Sequence, residues 1–430
     1  MRGLSFDIVI VGAGPAGLAA AASAARSGAS IGLLDDNPRI GGQIWRGGIE
    51  QVPTLQARRW MARATTDTIT ALQRARVLAP LSTDTLLVEL PDGAVKLHFK
   101  RLILATGARE RFLPFPGWTL PGVMGAGGLQ ALVKGGLPIE GQRVVVAGSG
   151  PLLLAVASSL TQKGARVQYI AEQTTWTKLA AFGLRLPGYP KQLRQASALG
   201  WGLRGVPLHA DAWVTGAHGT ERLETVTIQS RQGQTEIACD YLACGFGLWP
   251  NTELATALGC EILDHAVRVD PWQHTSRQDI YCAGEATGIG GLDLALLEGQ
   301  IAGFAASGQG EAARACLPER ERTQSFTRHL EHTFSLRPEL KKLSSADTII
   351  CRCEDVTYQE VQRHPGWRSA KLQTRCGMGP CQGRICGAAT AFLFGWTQDS
   401  VRPPVTVGRV SSLIHTQEDA HSHQPEEDTQ

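Results

Sequence analysis

The chain has no block of like charge. Its 42 Lys and Arg are nearly matched by 39 Asp and Glu, and the formal net charge of +3 comes with no Lys/Arg run. A nucleic-acid partner is therefore not expected. No C-x-x-C pair occurs, so thiol–disulfide exchange has little support. No uninterrupted apolar span is long enough to cross a bilayer. The uncharged stretch from Ile8 to Ala25 is broken by Gly12, Gly14, Pro15 and Gly17, and its remainder is mostly alanine. That composition suits a strand, turn and helix better than a leader or membrane helix. No His–Asp or Ser–His constellation demands acid–base chemistry, so no catalytic residue is assigned. What is present is a globular composition, 43% apolar and 19% charged over 430 residues, enough for roughly three domains. Ten cysteines in such a length do not resemble a secreted disulfide scaffold. Half of them crowd between Cys351 and Cys386, which reads as metal binding in a reducing, cytoplasmic setting.

Phe6 to Val11 is a short β-branched run suited to a buried parallel strand. Gly12-Ala-Gly14-Pro15-Ala16-Gly17 follows, then an alanine-rich helix, then a strand from Ser30 ending at Asp35. This is a βαβ dinucleotide unit. Gly12 permits the turn, Gly14 lets a pyrophosphate approach the backbone, and Gly17 lets the helix close on the strand. The helix N-terminus faces the phosphates, and Asp35 stands where a ribose hydroxyl is held.

A second unit runs from Arg143 through Gly148-Ser-Gly150-Pro-Leu-Leu153 to a strand over 165–170. Leu153 replaces the third glycine, which predicts a helix held away from its strand. Counting from the fingerprint puts Ala171 at the place of Asp35, with Glu172 one step later. The second site, Gly148, Gly150 and Glu172, is expected to be degenerate, with an adenine nucleotide as its remaining ligand. Another strand ends at Gly284-Glu285, before an apolar helix. Residues 305–346 turn charged and helical, and 411–430 read as a polar, disordered tail.

Cys351-Arg-Cys353 and Cys381-Gln-Gly-Arg-Ile-Cys386 supply four thiols in two tight pairs. A thiolate tetrad suits a [2Fe–2S] cluster; a structural zinc site is the competing reading. Gly377, Gly379 and Gly383 would let backbone N–H groups turn toward sulfur. Cys376 is a fifth thiol outside the expected set.

The order of GAGPAG at 12–17, GGQ at 41–43, ATG at 105–107, GSGPL at 148–152, GFGLWPN at 245–251 and YCAGE at 281–285 resembles the flavoprotein family of glutathione and thioredoxin reductases. The C-x-C … GMGPCQG-x-x-C segment is similar to the bacterioferritin-associated-ferredoxin (BFD) type of [2Fe–2S] domain. Together they resemble the FAD-containing subunits of opine oxidases, hydrogen cyanide synthase and hydroxyproline dehydrogenases.

The resemblance implies an α/β fold: two Rossmann-like domains on the glutathione-reductase plan plus a small helical BFD-like domain. The implied FAD domain covers 1–135 and 268–310, and the NAD(P)-like domain 136–267. A helical linker would fill 311–345, and the cluster domain 346–405. FAD would be held by Gly12, Gly14, Pro15, Ala16, Gly17, Asp35, Gly42, Gln43, Arg46, Thr106, Gly107, Gly284 and Glu285, and the cluster by Cys351, Cys353, Cys381 and Cys386. Arg109 and Arg111 are expected in loops near the flavin.

The implied activity is that of a subunit in an amino- or imino-acid dehydrogenase complex, relaying electrons from C–N bond oxidation. Its partners would be a catalytic subunit similar to D-amino-acid oxidase and a small ferredoxin-like subunit. A quinone would accept the electrons, placing the complex at the inner membrane face. The alternatives are an NAD(P)H-dependent flavin reductase and a non-catalytic iron–sulfur assembly or sensor protein with structural FAD.

Overall fold

The computed structural model describes residues 2–46, 54–398 and 401–414. The expected tail lies mostly outside them, but 411–414 continue a helical turn that begins at Val410. Ser412 Oγ donates to Glu89 at 2.7 Å, so these four residues are anchored rather than disordered.

Two compact units emerge: Met1–Ala108 with Pro250–Gln324 and Ser400–Gln430, and Arg109–Trp249 with Ser325–Asp399. The chain thus crosses between units near 108 and 250, not at the expected 135 and 268. Strand pairing explains the shift. Val123–Gly125 pairs in parallel with Tyr241–Gly245 and so belongs to the second sheet. Leu254, Ala255, Leu258 and Cys260 bury themselves with Leu97, Leu102 and Leu104, and so belong to the first unit. The cluster segment also ends sooner than expected. Val405 N–H donates to Leu78 O at 2.7 Å, in the first unit.

In the first unit a seven-stranded sheet runs in the order Ile69–Gln73, Ile31–Asp35, Arg2–Val11, Gly93–Leu104, Thr85–Leu90, Arg76–Pro80. Ile280–Cys282 also pairs with Gly93–Leu104, in parallel. The helix Pro15–Ala24 buries eight of its ten residues. It lies against Gly291–Ala306, where a methyl on Gly299 would come within 2.1 Å of Ala16 O. Here two backbones touch, and any side chain would push them apart.

The second unit repeats the pattern. Five parallel strands run in the order Leu208–Ala210, Arg166–Glu172, Arg143–Gly148, Tyr241–Gly245, Val123–Gly125. An antiparallel three-stranded sheet, 213–238, follows. The helix Gly310–Thr333 carries Pro318 in its interior, and its residues from 325 belong to the second unit. The cysteine segment also belongs there. Trp118 Nε1 donates to Ile349 O at 2.6 Å, and Ser344 Oγ to Pro114 O at 3.0 Å.

Candidate functional site

The first fingerprint is assembled by backbone contacts that only glycine allows. Gly12 has φ +109°, and a Cβ there would lie 2.2 Å from Ala105 O. A Cβ on Gly17 would lie 1.8 Å from Gly12 O. Gly14 differs, because its φ is −74° and the nearest atom to an added Cβ is Gly42 Cα at 3.8 Å. That is an ordinary contact, without the overlap found at Gly12 and Gly17, and the missing side chain is what a close-approaching pyrophosphate requires. Pro15 opens the helix, and its missing N–H costs nothing there. Gly41 N–H donates to Ala13 O at 2.8 Å, which draws Gly42 over the loop. Gln43 and Arg46 are exposed beside it and bond to each other.

Asp35 Oδ2 accepts from Ala13 N–H at 2.7 Å, and its Oδ1 from Asn37 N–H at 2.8 Å. Thr106 and Gly107 are pinned by Asn251, whose carbonyl accepts from Thr106 Oγ1 at 2.7 Å and whose N–H donates to Gly107 O at 2.9 Å.

Gly284, φ +78°, sits over Ala16. Glu285 Oε1 accepts from Gly291 N–H at 2.8 Å, while its Oε2 is buried without a partner. Burial raises this carboxyl to about 7, against the Gly291 hydrogen bond and with help from the Glu298 charge. An orphaned acceptor of this kind fits a ligand hydroxyl, so the residues present suit the FAD expected of them. Glu298 was not anticipated, although an acid in the middle of an apolar helix was the available signal. Its Oε2 accepts from Gly284 N–H at 3.0 Å and Thr287 Oγ1 at 2.9 Å, with Arg320 beside Oε1 at 3.6 Å.

The second fingerprint departs from expectation in two ways. Glu172, not Ala171, stands in the place of Asp35. It pairs with Gly148 in register, and the strand carries a bulge between Val167 and Tyr169. That extra residue displaces the count by one. The Glu172 carboxylate accepts from Gly150 N–H at 2.7 Å and Thr174 N–H at 2.9 Å, repeating the bonds of Asp35. Leu153 is also accommodated. It is buried, and fills the space over Gly245, where a Cβ would meet its Cδ2 at 2.8 Å.

What closes this site is a distant segment, 334–337. Ser149 Oγ donates to Phe334 O at 2.8 Å, and the Phe334 ring covers Gly150. Gln173 donates to Ser335 O at 3.1 Å and accepts from Arg337 N–H at 3.0 Å. Arg337 also binds Asp211 at 2.8 Å and stacks on Trp213.

The cysteines gather in the second unit. Cys351, Cys353, Cys381 and Cys386 all line one cavity of about 460 Å³. The sulfurs of Cys351, Cys376 and Cys386 lie within 4.8 Å of one another, while Cys353 interacts with Cys381. Thus Cys376, left out of the expected set, is brought to it. All ten cysteines are free. Hydrogen bonds from the Cys376 and Cys386 thiols hold the Cys351 thiol far below its usual range, and the same bonds push the two donors up. Gly377 N–H donates to Cys351 Sγ at 3.4 Å. Soft sulfurs converging in this way fit an iron–sulfur or zinc centre.

Arg109 belongs to this cavity and donates to Arg384 O at 2.9 Å; Arg111 stacks on Trp249. Glu110 lines it too, held by the Gly127 and Gly128 N–H groups at 2.6 and 2.9 Å, and burial raises its carboxyl.

Two sheets, one mixed and one parallel, each with a glycine fingerprint between a parallel strand and a helix start, define a two-domain flavoprotein of the oxidoreductase class. The chain belongs to the pyridine nucleotide-disulphide oxidoreductase family, whose model matches residues 6–307. It is 34% identical to hydrogen cyanide synthase subunit HcnB of Pseudomonas aeruginosa, over 88% of this chain and 90% of that protein. It is 32% identical to an opine oxidase subunit of Rhizobium meliloti strain 1021, over 95% of this chain and 99% of the relative. Among solved structures, L-proline dehydrogenase from P. horikoshii matches with a TM-score of 0.67 at 20% identity, covering 96% of this chain and 80% of that one. Thioredoxin reductase from T. acidophilum matches at 0.54 and 22%, covering 71% and 99%. These two likenesses bear on the fold. No helix among the described residues is long and apolar enough to cross a membrane.

Proposed function

We propose that this chain is the FAD- and iron–sulfur-bearing subunit of a heteromeric dehydrogenase that oxidises a C–N bond in an amino, imino or opine-type acid. The carrying observation is the cavity lined by Cys351, Cys353, Cys381 and Cys386 in a chain that also has a glycine fingerprint and, at Glu285, a buried oxygen without a partner. The named relatives, from hydrogen cyanide synthase and opine oxidase, support the substrate class and the subunit role.

FAD would be held by the residues from Gly12 to Gly17, by Asp35, Gly42, Gln43, Arg46, Thr106, Gly107, Gly284 and Glu285. The four cysteines would hold a [2Fe–2S] cluster. Bound there, the flavin would take the electron pair of the oxidation and the cluster would take electrons singly. The chain's own work is positional. Gly14 leaves room for phosphate, Asn251 fixes the Thr106–Gly107 turn, and Glu285 offers its unpaired oxygen to a hydroxyl. A partner similar to D-amino-acid oxidase would perform the oxidation, together with a small ferredoxin-like subunit, and a quinone would be the acceptor. The flavin reductase reading is disfavoured by the Phe334–Arg337 segment, which lies where its nicotinamide donor would bind.

Anaerobic purification followed by iron, sulfide and flavin analysis tests this reading. About two irons and two sulfides per chain are expected alongside FAD. Cys381→Ser and Cys386→Ser should lose the iron and keep the flavin. Stoichiometric zinc without sulfide would overturn the cluster. Iron lost from Cys376→Ser but kept in Cys353→Ser would exchange those two ligands. Substrate-dependent flavin reduction on co-expression with the partner subunit is expected; its absence with every amino or imino acid would remove the dehydrogenase role.

A further inference from the structure

The crossover between Arg166–Glu172 and Leu208–Ala210 is unlike the rest of the molecule. It consists of two helices, Trp176–Arg185 and Pro190–Gly202, in which no residue is buried. A helix packed on a sheet ordinarily buries an apolar stripe, as Pro15–Ala24 does in the first unit. In this pair several large apolar groups are turned outward. Trp176 is 54% exposed, Leu184 84% and Trp201 68%.

The exposed groups are patterned. Trp176, Ala180 and Leu184 fall at i, i+4 and i+8, one face of the first helix. Leu193, Ser197 and Trp201 do the same on the second. The other side of the first helix is engaged. Phe182 packs edge-on against Phe334 at 5.5 Å, and Arg185 Nη1 meets His329 Nδ1 at 3.0 Å. Lys178 Nζ reaches Ser335 Oγ at 3.5 Å. The outward stripes are therefore not a core face awaiting its own strand.

Charge narrows the partner. Between Glu172 and Asp211 there is no acidic residue, while Lys178, Arg185, Lys191, Arg194 and Arg204 are all basic. Arg194 lies beside the Leu193–Trp201 stripe and is exposed. The Arg204 guanidinium stacks over the Trp201 ring at 3.4 Å, which puts a cation at the indole. Exposed tryptophan and leucine at helical spacing, flanked by arginine with no carboxylate, match the chemistry of an anionic lipid surface. Indoles settle at the headgroup level, and basic side chains meet the lipid phosphates.

We infer that the helix pair 176–202 is a membrane-surface docking element, which binds anionic phospholipid through Trp176, Leu184, Leu193 and Trp201 with Arg194 and Arg204. It lies in the interface plane and does not span it. This surface is independent of the cofactor assignments. It would bring the complex to the bilayer where a lipid-soluble acceptor resides.

Flotation of the full FAD-loaded chain with lipid vesicles is the test. The chain should float with vesicles of equal parts phosphatidylcholine and phosphatidylglycerol, and stay behind with phosphatidylcholine alone. About 0.5 M salt should weaken the binding, as screening requires. The double variant Trp176→Ser, Trp201→Ser should lose at least about tenfold in partitioning, and Arg194→Glu with Arg204→Glu a similar factor. Both should keep wild-type flavin content, which separates loss of binding from loss of fold. No flotation of the wild-type chain, or equal flotation of the variants, overturns the proposal. So does a change of the variants from dimer to monomer, or release of a co-purified subunit while flotation persists. Either would assign the face to a protein contact.

Discussion

The two fingerprints share one architecture and differ in what lies over it. Around the first, Gly14 meets only the Gly42 backbone at ordinary contact distance, and Glu285 keeps one buried oxygen without a partner. Around the second, the corresponding polar groups are satisfied from within the chain. Ser149 donates to Phe334 O, and Gln173 both donates to and accepts from the same segment, whereas the strand-end acids Asp35 and Glu172 have both oxygens bonded in either unit. A buried polar atom without a partner is costly. Such an atom persists where a ligand will satisfy it. At the second loop the chain's own segment 334–337 takes up the Ser149 and Gln173 groups instead.

The sharpest way to break this comparison is one substitution applied to each loop. Gly14→Val should fold and yet lose FAD, by at least about tenfold in affinity, because its side chain meets the phosphates and not the protein. Gly150→Val, strained at φ +94°, should lower the stability of the second unit and leave flavin content unchanged. Flavin released from the purified variants measures both, and equal retention would remove the first site.

The third fingerprint position tests packing instead. Leu153→Ala should cost about 2–5 kcal/mol in denaturant unfolding, because it empties a filled space over Gly245. Gly17→Ala should also destabilise, for the opposite reason: its methyl would overlap Gly12 O. Unchanged stability in Leu153→Ala would mean the helix can collapse onto its strand as the first one does.

Glu285 adds a dependence on pH. Its carboxyl is raised from 4.5 to about 7 in the folded chain. The penalty for its charge is therefore absent below pH 4.5 and grows as pH rises through 7. In the FAD-stripped chain, Glu285→Gln should raise stability at pH 8 by an amount on the order of 3 kcal/mol, and hardly at all near pH 4.5. A pH-independent gain would contradict the orphaned carboxylate.

The smallest effect is expected at the closed loop. NADH should not reduce the flavin of the unmodified chain at a useful rate. Phe334→Ala with Arg337→Ala should improve adenine-nucleotide binding only slightly, read by calorimetry, since it removes the ring over Gly150 and the guanidinium on Gln173 O but keeps the backbone bonds to Ser149 and Gln173. Rapid reduction by NADH in the unmodified chain would restore the reductase reading.

Much of this was legible in the chain itself. Glycines spaced as Gly12, Gly14 and Gly17, after a β-branched run and before alanines, specify a turn and a close-packed helix. The reason is local: backbone angles and Cβ volume act within a few residues. C-x-C likewise places two thiols on one short loop. Tertiary structure decided the rest. The bulge that makes Glu172 the counterpart of Asp35 depends on pairing with Arg143–Gly148 and leaves no mark in composition. The grouping of Cys376 with Cys351 and Cys386 brings together the end of a strand, a turn and the start of a helix, and the spacing of the cysteines does not specify it. Phe334 reaches Ser149 across 185 residues. No local pattern could announce that contact, because the hydrogen bonds that close the second site exist only once both strands and the returning segment have met.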